Sequence, residues 1–154
     1  MLEREKILKI AQEWIGKAEN DLTNAVNTLK MGKRGPTDTV CFHAQQCVEK
    51  YLKATLVWKG IDFPKTHNIS ELMALIPAGV CLPIENKEQD RLTEYATVTR
   101  YPGDYEPILL TEARRAVKIA RRVRKEARKL FPKEVLRKKQ HLNTSLPLQK
   151  GRII

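Results

Sequence analysis

Residues 42–60, FHAQQCVEKYLKATLVWKG, contain the pattern that decides the fold of this chain. Apolar residues recur at every third or fourth position in and just before this stretch, which is the spacing of one face of an α-helix. These residues are Val40, Ala44, Cys47, Val48, Tyr51, Leu52 and Leu56. Thr37 or Asp38 is expected to cap the start of the helix, and Gly60 is suited to the position just beyond its end. The stretch is therefore predicted to be one long helix with a buried face.

The same periodicity predicts four further helical segments around this one. They cover approximately residues 7–29, 68–76, 85–98 and 111–131. The glycine- and proline-containing segments MGKRGPT and RYPGDYEP separate helices, because neither residue is easily accommodated inside a helix. The sequence thus predicts an all-α, up-and-down antiparallel bundle of four main helices plus a short helix, in a domain of residues 1–131. Residues 132–154 are expected to form a basic, mobile C-terminal tail.

Length and composition narrow the class of protein. The chain has 154 residues, which fits one domain, and 42% apolar with 31% charged residues is typical of a folded globular protein. No apolar run is long enough to span a bilayer, and the charged segment MLEREKILKI lacks the apolar core of a secretory signal. The cysteines Cys41, Cys47 and Cys81 have no close pairing, which suits a reduced protein. We therefore expect a cytoplasmic location and no membrane association.

Positive charge is concentrated near the end of the chain. Residues 1–110 contain 14 Lys/Arg and 15 Asp/Glu, whereas residues 111–154 contain 15 Lys/Arg and 3 Asp/Glu. The last predicted helix has only Glu112 and Glu126 as acids beside its many cations. Six of these cations form a predicted electrostatic face for nucleic acid: Arg114, Arg115, Lys118, Arg121, Arg122 and Lys125. Unbalanced cations on one helix repel one another, so the expected partner is an RNA or DNA backbone or, alternatively, an acidic protein surface.

Several kinds of chemistry find no support in the sequence. The glycines form no phosphate-binding loop. His43 and Cys47 lie one helical turn apart, but no paired ligand spacing elsewhere accompanies them, so neither a metal site nor a cofactor is expected. The segment RYPGDY offers Arg100, Tyr101, Asp104 and Tyr105 on a turn between two helices. It is interpreted as a structural corner or, alternatively, as a functional site on a turn.

Three passages together resemble the HEPN domain family, the higher eukaryotes and prokaryotes nucleotide-binding domains, in its small prokaryotic form. They are Ala18-Glu19-Asn20-Asp21-Leu22, FHAQQCVEKYLKATLVWKG and KTHNISELMALI, of which the second is the most specific. The resemblance covers roughly residues 8–130. It implies an up-and-down helical bundle that is typically a homodimer. It also implies a frequent association with a minimal nucleotidyltransferase in toxin–antitoxin-like pairs.

Many members of this family are metal-independent RNases, and this chain departs from their motif. The motif is an arginine followed, after roughly four to six residues, by a histidine at the corner before the last helix, and two copies meet across the dimer. Arg100 lies at that corner, but Asp104, Tyr105, Glu106 and Pro107 stand where the histidine would be. Histidine is the side chain that readily transfers protons near neutral pH. The resemblance therefore implies the fold, while the RNase activity lacks its usual acid–base group.

The polar residues of the opening stretch have two interpretations within this fold. His43, Gln46 and Lys50 share one side of their helix, and Asp21 lies on the apolar stripe of the preceding helix, where a carboxylate needs a partner. They form either a satisfied polar seam that fixes helix register and the dimer interface, or a pocket for a nucleotide or an RNA phosphate. The candidate ligand-binding residues are Asp21, His43, Gln46, Lys50, Arg100, Tyr101 and Tyr105.

The combined prediction is a homodimeric binding module for RNA or a nucleotide that acts with a nucleotidyltransferase partner. Two alternatives stay open. One is a divergent RNase that uses Arg100 with Tyr105 or Asp104 in place of the missing histidine. The other is a protein-binding regulator whose basic helix docks an acidic partner.

Overall fold

A computed structural model describes residues 2–97, 99, 101–103 and 106–137, and all of its regular elements are helical. The helices are α1 (Leu2–Leu29), α2 (Thr37–Trp58), α3 (Ile69–Leu75), α4 (Asn86–Ala96), α5 (Leu110–Arg128) and α6 (Lys133–Leu136), with a 3-10 turn at Gly32–Arg34. No strand occurs in this described part of the chain. The predicted all-α bundle, with four main helices and the short α3, is confirmed.

Helix α2 is the central element of the bundle. It packs against α1, α3, α4 and α5, and its long side chains Tyr51, Leu52 and Leu56 are fully buried. Burial of a large apolar side chain of this kind contributes about 1.5–3 kcal/mol to stability. The helix is buried on several sides because it has neighbours on several sides, so polar residues of α2 also lie inside the protein. The site described below results from this arrangement.

The two ends of α2 are formed in different ways. The predicted capping role of Thr37 or Asp38 is wrong, because the helix starts at Thr37 itself and Pro36 occupies the N-cap position. The Thr37 hydroxyl instead donates a hydrogen bond of 2.7 Å to the carbonyl of Ile108, which ties the start of α2 to the segment before α5. Gly60 has the predicted role: it adopts a φ of 72° just beyond the helix.

Small residues bring α5 close to α2. Its buried side is rich in alanine, which allows two helix backbones to approach each other. The buried residues of α5 are Ala113, Ala116, Val117, Ile119, Ala120, Val123 and Ala127. The last two predicted helices are slightly shorter than expected: α4 ends at Ala96, with its N-terminus fixed by a capping box of Glu85 and Glu88, and α5 ends at Arg128.

The chain continues to pack against the bundle beyond the boundary expected at residue 131. The short α6 buries Val135, and the side-chain amide of Gln12 on α1 donates to the carbonyls of Glu134 and Arg137. These carbonyls lie in α6 and at the residue that caps its C-terminus, where carbonyl groups lack helical partners. The remainder of the predicted tail, residues 138–154, lies outside the described residues.

Two further observations concern the described residues as a whole. None of their helices is long and apolar enough to cross a membrane. The three cysteines are all free: Cys41 and Cys47 are buried in α2, and Cys81 is exposed.

Candidate functional site

Asp21, His43 and Lys50 form a polar seam between α1 and α2. Oδ1 of Asp21 lies 2.8 Å from Nδ1 of His43, and its other oxygen, Oδ2, accepts a hydrogen bond from Nζ of Lys50. Asp21 is only 8% exposed, so these two partners replace the water that its carboxylate has lost. An ionised carboxylate only accepts hydrogen bonds, so the Nδ1 proton of His43 points at Asp21. The pairing of Asp21 with His43 and Lys50 that the sequence suggested is present.

Gln46 belongs to a different network from His43 and Lys50. Its side-chain amide donates to Oε1 of Gln45 at 2.7 Å and, more weakly, to Oε1 of Glu49 at 3.4 Å. All three residues are buried. The sequence grouped Gln46 with His43 and Lys50 because the three residues share one side of the helix. In the structure, however, Gln46 makes no hydrogen bond to Asp21.

Glu49 is the centre of this second network, which sequence reasoning missed. The carboxylate is 2% exposed and lies 2.8 Å from Nδ1 of His67, 3.0 Å from Nζ of Lys53 and 3.1 Å from the amide of Gln45. Lys53 lies one helical turn after Glu49, and from this spacing the ion pair between them could have been predicted. The network ties α2 to the loop that precedes α3, because His67 lies in that loop.

Aromatic rings surround the cation of this network. Nζ of Lys53 lies 5.3 Å from the ring centroid of Trp14 and 5.9 Å from that of Phe63. Both distances are within the range of a cation–π attraction, which helps to hold an ammonium group away from water. Because its ammonium group already contacts Glu49 and two aromatic rings, Lys53 is not available to an external ligand.

The corner before α5 contributes little to the described site. Arg100, Asp104 and Tyr105, the predicted catalytic candidates, lie outside the described residues. Tyr101 is 67% exposed and makes no hydrogen bond or ring contact within the part of the chain that the structure describes. Tyr101 is therefore not brought to the Asp21 seam.

Three arginines of α5 anchor the helix to the rest of the bundle. Arg124 makes a two-pronged contact with Glu19 on α1 at 2.8–3.0 Å, and Arg128 lies 3.6 Å from the same carboxylate. Arg122 pairs with Glu88 of α4 at 2.9 Å and donates to the carbonyl of Pro83. The expectation that Arg122 has no balancing acid is wrong, because it pairs with Glu88 on another helix; its place on a nucleic-acid face stays a prediction.

The other cations of α5 are exposed and have no ion pair within the described residues; we call them the α5 stripe. The α5 stripe consists of Arg114, Arg115, Lys118, Arg121 and Lys125. Four of its members are spaced by four, three and four residues, which places them in one row along the helix, and Arg115 lies beside the row. The row is a positive surface about 16 Å long, given a rise of about 1.5 Å per residue.

A groove lies between α1 and α5, next to the stripe. It has a volume of about 420 Å³. Its lining residues are Glu19, Leu22, Thr23, Val26 and Asn27 from α1 and Arg121 and Arg124 from α5. Arg121 thus belongs both to the stripe and to the rim of the groove.

Glu19, which lines this groove, interacts with Arg124 and with the hydroxyl of Tyr51. Burial would raise the pKa of Glu19, but hydrogen bonds from Arg124 and Tyr51 outweigh burial and hold the pKa below its ordinary value. The same contact with Glu19 raises the pKa of Arg124. Burial raises the pKa of the Tyr51 hydroxyl, and its hydrogen bond to Glu19 adds to the effect. Glu19 is therefore an anion at neutral pH with its charge already balanced inside the protein.

The two cysteines of α2 have unreactive thiols. Burial raises the pKa of the Cys41 thiol to about 12 and raises that of Cys47 even further, so both remain protonated and unreactive near neutral pH. Within the described ranges, no cluster of three or more His, Cys, Asp or Glu side chains could hold a metal ion.

Comparisons with known proteins place this arrangement in a family. A protein of Methanocaldococcus jannaschii with the name "Putative toxin MJ1304" is 33% identical over 106 residues, which are 64% of this chain and 67% of that protein. The crystal structure of TT1696 from Thermus thermophilus superposes with a TM-score of 0.67 at 27% identity, covering 79% of this chain and 98% of that one. An archaeal HEPN homologue, ST0689, superposes with a TM-score of 0.61 at 28% identity, covering 78% and 96%.

The match of a family model decides the assignment. The model of the HEPN domain matches residues 11–130, which contain α2, α5 and both polar networks. The chain therefore belongs to the HEPN domain family.

Proposed function

We propose that this protein is an RNA-binding member of a toxin–antitoxin-like system, and that the α5 stripe is its contact with the RNA backbone. The observation that supports the proposal is the division of the α5 cations into two sets. Arg122, Arg124 and Arg128 are balanced by acids or hydroxyls of the bundle. The stripe cations are exposed and have no such partner in the described chain.

A row of unbalanced cations favours a polyanionic ligand. Like charges on adjacent turns destabilise a helix by a few tenths of a kcal/mol per pair, and a bound phosphate backbone relieves this repulsion. The row has the extended shape of a backbone contact, whereas an isolated free nucleotide would need only a few of these charges. We therefore assign RNA, and not a free nucleotide, as the ligand of the stripe.

The partner proposed for the complex is a nucleotidyltransferase, and the protein itself is proposed to be a homodimer. Support for a toxin–antitoxin-like system comes from the name of the M. jannaschii relative, and the HEPN resemblance supplies the nucleotidyltransferase and the dimer. Co-expression with a nucleotidyltransferase encoded beside the gene, followed by co-purification and light scattering, tests both associations. A monomer that fails to retain such a protein contradicts them.

The RNA proposal is tested by removing three stripe cations whose side chains make no ion pair or hydrogen bond with another described residue. In the variant Arg114→Gln, Lys118→Gln, Lys125→Gln, we expect the affinity for labelled tRNA at moderate salt to fall at least about tenfold. The slope of log K against log salt should become shallower by about 2–3, because each lost phosphate contact removes about 0.7 on a single strand and about 0.9 on a duplex. Fluorescence anisotropy at several salt concentrations measures both quantities.

A matched control separates the stripe from net charge. Lys33, Lys59 and Lys65 are exposed, and no ion pair of theirs occurs in the described structure, so their triple change to Gln removes the same charge elsewhere. Equal losses in the two triple variants would show that the stripe is not the contact. If the wild-type protein cleaves the tRNA without metal while an Arg100→Ala variant does not, the chain is a nuclease and the binding-module proposal is overturned.

A further inference from the structure

We infer that the groove between α1 and α5 receives one unstacked nucleobase of a single-stranded RNA whose phosphates lie on the α5 stripe. The inference rests on the proposed function and adds to it a specificity for single strands. It concerns a surface that the Asp21 seam and the Glu49 network do not use.

The groove is lined by apolar side chains and, beside them, by polar ones. Leu22 and Val26 are partly buried against the core and leave apolar surface in the groove. Thr23 and Asn27 are exposed beside them, one helical turn apart. Apolar side chains next to hydroxyl and amide groups match the faces and the hydrogen-bonding edge of a base.

Only one of the two arginines that line the groove is free to attract a phosphate. Arg124 is neutralised by Glu19, so it attracts no further anion. Arg121, on the same side of the groove, is exposed and has no ion pair in the described chain. The single free charge of the groove is thus also a member of the stripe, which makes the two surfaces continuous.

The dimensions of the groove also fit one nucleotide. The α1 residues that line it span positions 19–27, about 12 Å along the helix axis. Its volume of about 420 Å³ lies at the lower end of the range of small-ligand sites, about 300–1,000 Å³. Bases in a duplex are also stacked and cannot enter a groove, whereas those of a single strand can be turned outward.

The inference is tested with a variant that blocks the groove without changing charge. Thr23→Leu with Asn27→Leu removes both polar groups and fills space, and leucine is a good helix former, so folding is retained. We expect the affinity for a single-stranded oligoribonucleotide to fall about tenfold, which is the effect of losing hydrogen bonds of ordinary strength. The affinity for an RNA hairpin of the same length should stay unchanged, and so should the salt slope for both RNAs.

The matched control is Asn20→Leu with Asn24→Leu, which makes the same kind of change at exposed positions of α1 that do not line the groove. It should bind both RNAs as the wild type does. Equal binding of single strands by the groove variant and by this control overturns the inference, and so does a parallel loss for hairpin and single strand.

A second measurement locates the base directly. An oligoribonucleotide that contains 4-thiouridine is cross-linked to the wild-type protein, which is then digested with trypsin. Lys17 and Lys30 delimit a single tryptic peptide that contains every α1 residue of the groove. A cross-link in residues 18–30 supports the inference, and cross-links found only in other peptides overturn it.

The two proposals fail in distinguishable ways. If the stripe variant loses RNA affinity while the groove variant does not, the RNA-binding function stands and the base site is rejected. If the wild type binds neither RNA but binds an acidic protein, both are rejected and the groove becomes part of a protein interface.

Discussion

Asp21 is a carboxylate that the fold keeps almost out of contact with water, and two side chains of α2 share its charge. His43 takes one oxygen and Lys50 the other. Removing one member of such a group leaves the other members desolvated without compensation, which costs more than the contact itself contributed. The seam therefore specifies how α1 lies on α2, whether or not a ligand also binds there.

Replacement of Asp21 by asparagine should test this dependence. Asn has the same shape but no charge, so Lys50 loses its counter-ion, and we expect the free energy of unfolding to fall by about 2 kcal/mol. Urea denaturation followed by circular dichroism measures the change. The exposed Asp62, which has no ion pair in the described chain, provides the control Asp62→Asn, expected to stay within about 0.5 kcal/mol of the wild type.

The double variant Asp21→Asn, Lys50→Met completes this experiment. It removes the orphaned ammonium together with the carboxylate, so much of the lost stability should return. An Asp21→Asn variant as stable as the Asp62→Asn control would mean that the seam contributes nothing to folding.

Sequence reasoning reached the pair Asp21–His43 but not the pair Glu19–Arg124. Asp21 interrupts an apolar stripe, and this irregularity can be seen within one helix. Glu19 occupies an ordinary polar position, and its partner is 105 residues away on a helix that also carries several other cations. Only the packing of α1 on α5 selects Arg124 among them.

At the scale of elements, the C-terminus of α2 shows how a local signal fixes a boundary. The backbone N–H of Gly60 donates a hydrogen bond to the carbonyl of Val57, and that of Ile61 donates one of 2.9 Å to the carbonyl of Leu56. These two hydrogen bonds define a Schellman motif, which requires a left-handed residue after the helix. The N-terminus of the same helix was predicted wrongly because its fixing contact, from Thr37 to Ile108, is distant in sequence.

Two glycine substitutions should change stability in opposite directions. Gly60→Ala places a side chain at a φ of 72°, so we expect a loss of about 1–2 kcal/mol, although no atom lies near enough to clash. Gly16→Ala lies inside α1 with open space around the added carbon, so we expect a gain of about 0.5–1 kcal/mol. Thermal unfolding of both variants measures the signs. A stabilising Gly60→Ala would contradict the assigned motif.

At the scale of the whole molecule, ion pairs join helices that are far apart in the chain. Glu19 connects α1 to α5 and, through Tyr51, to α2. Glu88 connects α4 to α5 through Arg122. Burial raises the pKa of Glu88, but hydrogen bonds from Arg122 and from the Glu85 backbone outweigh it, so that this pKa, like that of Glu19, lies below the ordinary value of 4.5.

These depressed pKa values predict how stability depends on pH. A carboxyl group whose pKa is lower in the folded state stabilises the protein fully above its unfolded pKa and loses this effect as the pH falls through the folded pKa. We expect Glu19→Gln to be less stable than the wild type at about pH 7. The difference should shrink steadily as the pH falls from about 5 towards 3. Urea denaturation at several pH values measures it.

Glu71 supplies the control for this experiment. It is exposed and has no ion pair in the described structure, so Glu71→Gln should change the free energy of unfolding by no more than about 0.5 kcal/mol throughout the series. A Glu19→Gln variant with the same flat profile would show that the contacts with Arg124 and Tyr51 do not stabilise the ionised form.

The link between Glu19 and Arg124 also has a consequence for the order of folding. A short connection joins α1 to α2, so these helices can associate as a hairpin early, when the loop that must be closed is small. In such a hairpin we expect Glu19 to contact the phenol of Tyr51 before its guanidinium partner, which stands 105 residues later in the chain, has docked. We therefore expect the docking of the cationic α5 both to neutralise this charge and to complete the bundle.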